Sequence, residues 1–208
     1  FGLTPFWAKK PMYLFNARSE GDRNKENNPD FKGAKDIITK PAFRKPIRSQ
    51  RCLVPADAFY EGTTADGLSK PFLVFLKNKV RPFAFAGLYD DWKNPETGET
   101  IRSFSIITTT ANTLMQKIPH HRCPVILPQW QEKKWLSERT ALTDITDMLK
   151  SPADDIMNAY PVAESIKNPK NDSPDLIKQI GDLLMSEDTV NIKNTLSNQG
   201  FGRNNRHF

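Results

Sequence analysis

Three short segments combine residue types that packing alone does not require: Asn16-Ala17-Arg18-Ser19-Glu20, Pro55-Ala56-Asp57-Ala58-Phe59-Tyr60-Glu61 and Ile118-Pro119-His120-His121-Arg122-Cys123-Pro124. Together they supply an amide, a carboxylate, an imidazole and two guanidiniums. Such a set can hold phosphates and move protons at a carbonyl carbon. Arg18 follows Asn16 by two residues and Arg122 follows His120 by two. On extended chain each arginine then shares a side with its partner, and arginine pairs with phosphate through a planar fork of N–H donors. Glu61 closes an apolar run just before Gly62. Partial desolvation there raises a carboxyl pKa and suits it to acid–base work; the alternative is a strand-end ion pair with an arginine.

His120 stands before a buried apolar run, where an imidazole can shuttle protons near neutral pH. The alternative is a ring that only hydrogen-bonds a backbone carbonyl. Neighbours on extended chain point to opposite sides, so only one of His120 and His121 is expected to face a given site. Phe6 and Trp7 could present stacking surfaces to bases, as could Phe59 and Tyr60, although Phe59 is expected in the core.

Two other chemistries fit these residues less well. His120, His121, Cys123 and the distant Cys52 do not follow the paired spacing of zinc ligands, so no metal is expected. Cys123 as a thiol nucleophile is disfavoured by its place at the head of an apolar strand, where thiols are inert packing.

The elements that must position these groups belong to a chain of 208 residues, 38% hydrophobic and 26% charged. That suffices for one domain with a core of its own. Sixteen prolines and ten glycines argue for short elements and against long helical bundles. The net charge is +6, and between Asn16 and Arg51 ten Lys/Arg face five Asp/Glu. Lys40, Arg44, Lys45, Arg48 and Arg51 run without an intervening acid, which favours a polyanionic partner or else a solvated basic loop. Two cysteines make no disulfide framework. No secretory signal is visible in these residues, and no apolar run in them approaches the ~20 residues of a membrane span. A cytoplasmic or nuclear location is expected.

Apolar alternation predicts strands over 12–15, 51–54 continuing through 57–61, 72–76, 83–89, 102–109, 125–127 and 159–165. Turn chemistry at Asp66-Gly67 and at Asn94-Pro95 with Thr97-Gly98 marks hairpin loops. Helices are expected over 29–39, over 111–117 with Thr110 as cap, from Pro128 with Trp130 and Trp135 packed, and from Ser173-Pro174 through Leu184. The class is α+β, with a mainly antiparallel, barrel-like sheet and peripheral helices. Residues 1–186 are expected to form one domain and 187–208 a flexible tail. The opening Phe1-Gly2-Leu3 reads like the middle of a domain, so residues are expected upstream.

The catalytic segments do not stand alone. With Gly2-Leu3-Thr4-Pro5-Phe6-Trp7, Arg51-Cys52-Leu53-Val54-Pro55-Ala56, Phe85-Ala86-Gly87-Leu88-Tyr89, Thr108-Thr109-Thr110-Ala111-Asn112 and the run 118–127, the chain resembles the SRAP (SOS response-associated peptidase) family. The resemblance extends to about Ile180. It implies a protein that binds single-stranded DNA and attaches covalently to abasic sites; separately, a monomer with no cofactor is expected. In the family the amine and thiol of a cysteine behind the initiator Met form an imine and then a thiazolidine, and removal of the preceding residues is the supposed peptidase step. Carried over by position, Asn16, Glu61 and His120 are the implied catalytic residues. Arg18 and Arg122 are the implied phosphate ligands, with Phe6 and Trp7 beside the DNA. The family's Met-Cys-Gly-Arg segment is not in this sequence, Gly62 stands where a Trp is common, and Cys123 replaces a Met or Arg. The alternatives are a damaged-DNA reader without catalysis and a peptidase acting on peptides.

Overall fold

The computed structural model describes residues 1–77 and 81–186. Its main sheet runs β1 (Asn16–Arg18), β6 (Thr100–Thr110), β5 (Phe83–Lys93) and β2 (Arg51–Ala56). β5 and β6 form a long antiparallel hairpin paired from Lys93↔Thr100 to Gly87↔Ile106. Beyond that point they separate. The run β7 (Arg122–Pro124), Val125 and β8 (Ile126–Leu127) fills the gap, β7 pairing with β6 and β8 with β5. Val125 joins both, donating to the Ile107 carbonyl and accepting from the Ala86 amide at 2.9 Å each. A second sheet of β3 (Phe59–Thr63), β4 (Gly67–Leu76) and β9 (Met157–Pro161) is antiparallel throughout. The whole is an α+β fold whose curled, largely antiparallel sheet makes a half-barrel, with helices at the periphery.

Two apolar clusters lie on opposite sides of this sheet. One gathers Leu3, Ala17, Ile47, Leu88, Ile107, Val125, Trp135 and Leu149; the other gathers Val74, Phe85, Leu114, Met115, Ile118, Cys123 and Met157. The alternation of β7 and β1 is thereby settled. Cys123 and Ala17 are buried in packing, so their neighbours turn the other way.

Several expected elements differ. Strand 51–61 is interrupted at Asp57-Ala58 and its halves lie in different sheets. The extended residues are Asn16–Arg18 rather than 12–15, because β1 pairs in parallel with β6 while Leu14 makes only an isolated bridge to Leu3. In place of a helix over 29–39 there is a single 3-10 turn, Asp36–Ile38; Pro29 and Gly33 interrupt the run and tertiary packing claims Ile37. The helix α2 (Thr113–Lys117) is capped by Asn112, whose side chain accepts from the Met115 amide, and not by Thr110, which is still in β6. The expected helix after Ser173 stops at the 3-10 turn Pro174–Ile177. Beyond it the Ile180 and Leu184 amides donate to the carbonyls of Pro161 and Ala159, so sheet-like pairing replaces helical bonds. A side chain at Gly181 would collide with the Pro161 ring at 2.6 Å. A helix absent from the sequence reading, α4 (Leu142–Asp147), packs Ile145 into the first cluster. The expected tail, 187–208, lies outside the described residues.

Part of the basic run is structural. Arg51 is buried and donates to the carbonyls of Ile47, Arg48, Trp135 and Ser137, at the C-terminal ends of α1 (Pro46–Ser49) and α3 (Gln129–Leu136). A cation there meets the negative end of both helices. Arg48 likewise donates to the Ile38 and Arg44 carbonyls.

Helix α3 separates its two tryptophans, since five residues turn a helix by about 140°. Trp135 is fully buried with its indole N–H on the Cys52 carbonyl, whereas Trp130 is 77% exposed, contrary to the expectation that both pack. Trp135→Ala should therefore cost ~3–5 kcal/mol in urea unfolding, and Trp130→Ala should stay within ~0.5 kcal/mol of the parent. Equal losses in the two variants would contradict this packing.

Candidate active site

β1, β3, β6 and β7 converge on a cavity of about 550 Å³. Its wall includes Asn16, Arg18, Tyr60, Glu61, Thr108, His120, His121 and Arg122. The register explains the selection. Asn16 and Arg18 pair with Ile106 and Thr108, and all four reach the cavity, while Ala17 and Ile107 between them are buried in the core. In β7, Arg122 and Pro124 reach it and Cys123 faces the second cluster. Five of the expected site residues, Asn16, Arg18, Glu61, His120 and Arg122, are thus brought together from three segments.

Phe6 and Trp7 do not join them. The Phe6 amide donates to Asp90 Oδ2, and its ring lies under Lys45 Nζ at 4.5 Å. Trp7 is half-exposed, with its indole N–H 3.4 Å from the Pro41 carbonyl. The aromatic lining comes instead from Phe1, Phe59, Tyr60 and Phe85.

His120 Nδ1 lies 3.0 Å from the Arg122 carbonyl oxygen. A carbonyl only accepts, so Nδ1 carries the hydrogen. In the neutral ring Nε2 is then a lone pair, and it faces Glu61 Oε1 at 3.5 Å. Burial pushes the Glu61 carboxyl up, partly opposed by the His120 charge and by the Gly62 amide on Oε1. The two groups can hold a proton on either side of a short gap, which is the arrangement an acid–base pair requires. Gly62 has a local reason. A β-carbon there would lie 2.0 Å from the Gly67 carbonyl, where the β3–β4 hairpin bulges, so this backbone has no room for the Trp of the family pattern.

Both histidines line the cavity, contrary to the expected alternation. Their rings stack at 5.1 Å between centroids and 30° between planes. Neither residue is in a strand: they follow Pro119, whose φ is +32°, in a bend ahead of β7. The strand rule does not apply to such a turn. His121 Nδ1 is 2.7 Å from Thr64 Oγ1, and burial together with the neighbouring His120 and Arg122 charges pushes its pKa down.

The arginines are held differently. Arg18 Nη2 donates to the Asn24 carbonyl at 2.6 Å and to Asn27 Oδ1 at 2.9 Å. Arg122 is buried, and its Nη2 donates to Glu20 Oε2 at 2.7 Å. Glu20 is fully buried, and its residue type and spacing alone assign it no role. Its Oε1 accepts from Ser19 and Thr109 hydroxyls, with Lys35 Nζ at 3.6 Å. Burial alone would raise this carboxyl, but the Arg122 charge and hydrogen bond, helped by Thr109 and a backbone amide, outweigh it and hold the pKa at about 2. An acid closing a motif of otherwise small and basic residues was the available signal.

Burial pushes the Cys52 thiol up to about 11 and the Cys123 thiol up to about 12, so neither is a thiolate at neutral pH. Among the described residues no three His, Cys, Asp or Glu side chains gather as a metal set, and no helix is long and apolar enough to cross a membrane.

Two measurements check this electrostatic picture. Because the folded pKa of Glu20 lies below its ordinary 4.5, its contribution is complete above that pH and is lost as pH falls toward 2. The stability gap between the parent and Glu20→Gln should be on the order of 3 kcal/mol at pH 6 and should close on acidification; a gap that does not change with pH would be inconsistent with an ionised, paired Glu20. In the native protein at pH 8, iodoacetamide should leave Cys123 unmodified, and rapid alkylation would show that its thiol is neither buried nor protonated.

Comparison with known proteins gives this geometry a family. The family model described as SOS response associated peptidase (SRAP) matches residues 1–169. The chain is similar to the abasic site processing protein YoqW of Bacillus subtilis, 41% identical over 183 residues that cover 86% of this chain and 74% of that protein. It is 29% identical over 200 residues to the abasic site processing protein HMCES of Gallus gallus, covering 86% of this chain and 56% of that one. A crystal structure of a Bacteroides thetaiotaomicron protein superposes with a TM-score of 0.72 at 32% identity, over 86% of this chain and 75% of its own. On the matched sequence and the shared half-barrel, this chain belongs to the SRAP family.

Proposed function

We propose that the cavity receives an abasic sugar and its flanking phosphates in single-stranded DNA. The observation that carries this reading is the Glu61–His120 pair, set in one cavity with two arginines that have donors unpaired among the described residues. Opening an abasic sugar to its aldehyde removes a proton from the anomeric hydroxyl and delivers one to the ring oxygen. A carboxyl raised by burial can donate, and an imidazole with its Nε2 lone pair inward can accept. Asn16, exposed on the same wall, is suited to orient the sugar through its amide. Arg18 and Arg122 would take the phosphates.

In the whole protein we place the attacking amine and thiol on an N-terminal cysteine outside these 208 residues. The amine would condense with the aldehyde to an imine, releasing water, and the thiol would then add to the imine carbon. The processing step that exposes such a terminus gives the peptidase name its meaning in this reading. The two internal thiols speak against a cysteine peptidase built on this chain, since both are held protonated.

Glu61→Gln keeps the shape of the side chain and removes its acid–base function. In full-length protein carrying a terminal cysteine, we expect crosslinking to an abasic oligonucleotide to slow by roughly 10²–10⁴-fold, with equilibrium binding nearly unchanged. His120→Ala should slow formation or reversal with a modest loss of binding. Parental single-turnover rates in both variants would reduce the cavity to a passive cradle and favour the reading of a binding module. Arg18→Ala should weaken single-strand binding and flatten its dependence on salt.

A further inference from the structure

The cavity contains a buried cation whose bonds are only partly used. Among the described residues, Arg122 Nε and Nη1 are buried without a hydrogen-bond partner, although the residue lines the cavity. Its third nitrogen, Nη2, is the one bound to Glu20, with Thr108 Oγ1 at 3.4 Å. Unsatisfied guanidinium N–H groups in a buried position are costly unless a ligand completes them. The same carboxylate meets Lys35 from a different part of the chain. Lys35 Nζ lies 3.6 Å from Glu20 Oε1 and within 3.5 Å of the Ser19 and Thr109 hydroxyls. Lys35 also lines a second cavity of about 670 Å³, formed by 29–35, 109–112 and the 146–154 segment, with Lys150 in its wall. Glu20 therefore sits between two cavities and has a cation on each side.

We propose that Glu20 is a positioning residue. Its carboxylate pins Arg122 by Nη2 alone and so presents Nε and Nη1 to an anionic group of the ligand. Lys35 and Thr109 hold the carboxylate in place from behind. This rests on the reading that the ligand brings a phosphate into the cavity. Glu20 itself touches no ligand, since it lines neither cavity while Arg122 lines the first.

The positioning role reverses the expectation from net charge. Removing an acid from a protein of charge +6 should tighten its hold on DNA. If Glu20 positions Arg122, Glu20→Gln should instead weaken single-strand binding about tenfold, and in an Arg122→Ala background it should have no further effect. Glu20→Asp should recover part of the loss. Thr109→Val, which deletes one hydroxyl bound to Oε1, should produce a smaller loss in the same direction and serves if Glu20→Gln does not fold. Binding by Glu20→Gln or Thr109→Val that equals or exceeds the parent's would overturn the proposal. A second readout does not involve DNA: the ¹⁵N-resolved side-chain resonances of Arg122 in the free protein. Restricted guanidinium rotation in the parent should be lost in Glu20→Gln and reduced in Thr109→Val, and unchanged resonances would also overturn the proposal. If the parent fails to bind single strands while those resonances respond as expected, the positioning role stands and the DNA reading falls.

Discussion

The site depends on the parting of β5 and β6. The two strands pair regularly as far as Gly87↔Ile106 and then diverge, and the six residues Arg122–Leu127 occupy the opening. This insertion satisfies backbone groups on both diverging strands, with Val125 bonded to each. It also determines where the chemistry lies. His120 and Arg122 must arrive at the end of β6, beside the parallel strand that carries Asn16 and Arg18. Glu61 comes from the other sheet, through a hairpin whose bulge admits only glycine next to it.

The electrostatics follow from that packing. A carboxylate as deeply buried as Glu20 is sustained only by compensating charge and hydrogen bonds, and Arg122, Lys35, Thr109 and Ser19 supply them. Glu61 is the opposite case. Burial dominates and its carboxyl is pushed up, with an imidazole facing it in place of a permanent cation. Two glutamates in one small region thus have pKa values moved in opposite directions, Glu20 down by its cation and Glu61 up by burial. The basic residues divide in a similar way. Arg51 is used up on helix-end carbonyls, whereas Arg18 and Arg122, both in the cavity wall, have nitrogens without a partner among the described residues.

Much of the frame was legible in the sequence because it is local. Alternation marks a half-buried strand with period two, and β4, β5 and β6 cover the apolar runs expected as strands, with the Asp66-Gly67 signal at the β3–β4 turn and Thr97-Gly98 at the β5–β6 turn. The two-residue spacing of Asn16 and Arg18 implied a shared side, and pairing with β6 places both on the cavity wall. One segment has its backbone bonds claimed from a distance. The amphipathic run after Ser173 carries a helical pattern, yet its amides pair with β9 carbonyls, and a pattern of side chains does not reveal such a partner.

The sequence by itself determined the α+β class, the residue types of the site, the burial of Cys123 and the basic excess, all of which depend on composition and near-neighbour periodicity. Tertiary structure alone decided that His120 and His121 stack in a bend, that Phe6 and Trp7 stand outside the cavity, and that Glu20 joins Arg122 to Lys35. These depend on contacts between residues up to 102 positions apart, whose distances are set by sheet register and the closing of the core. No local preference of the chain encodes them.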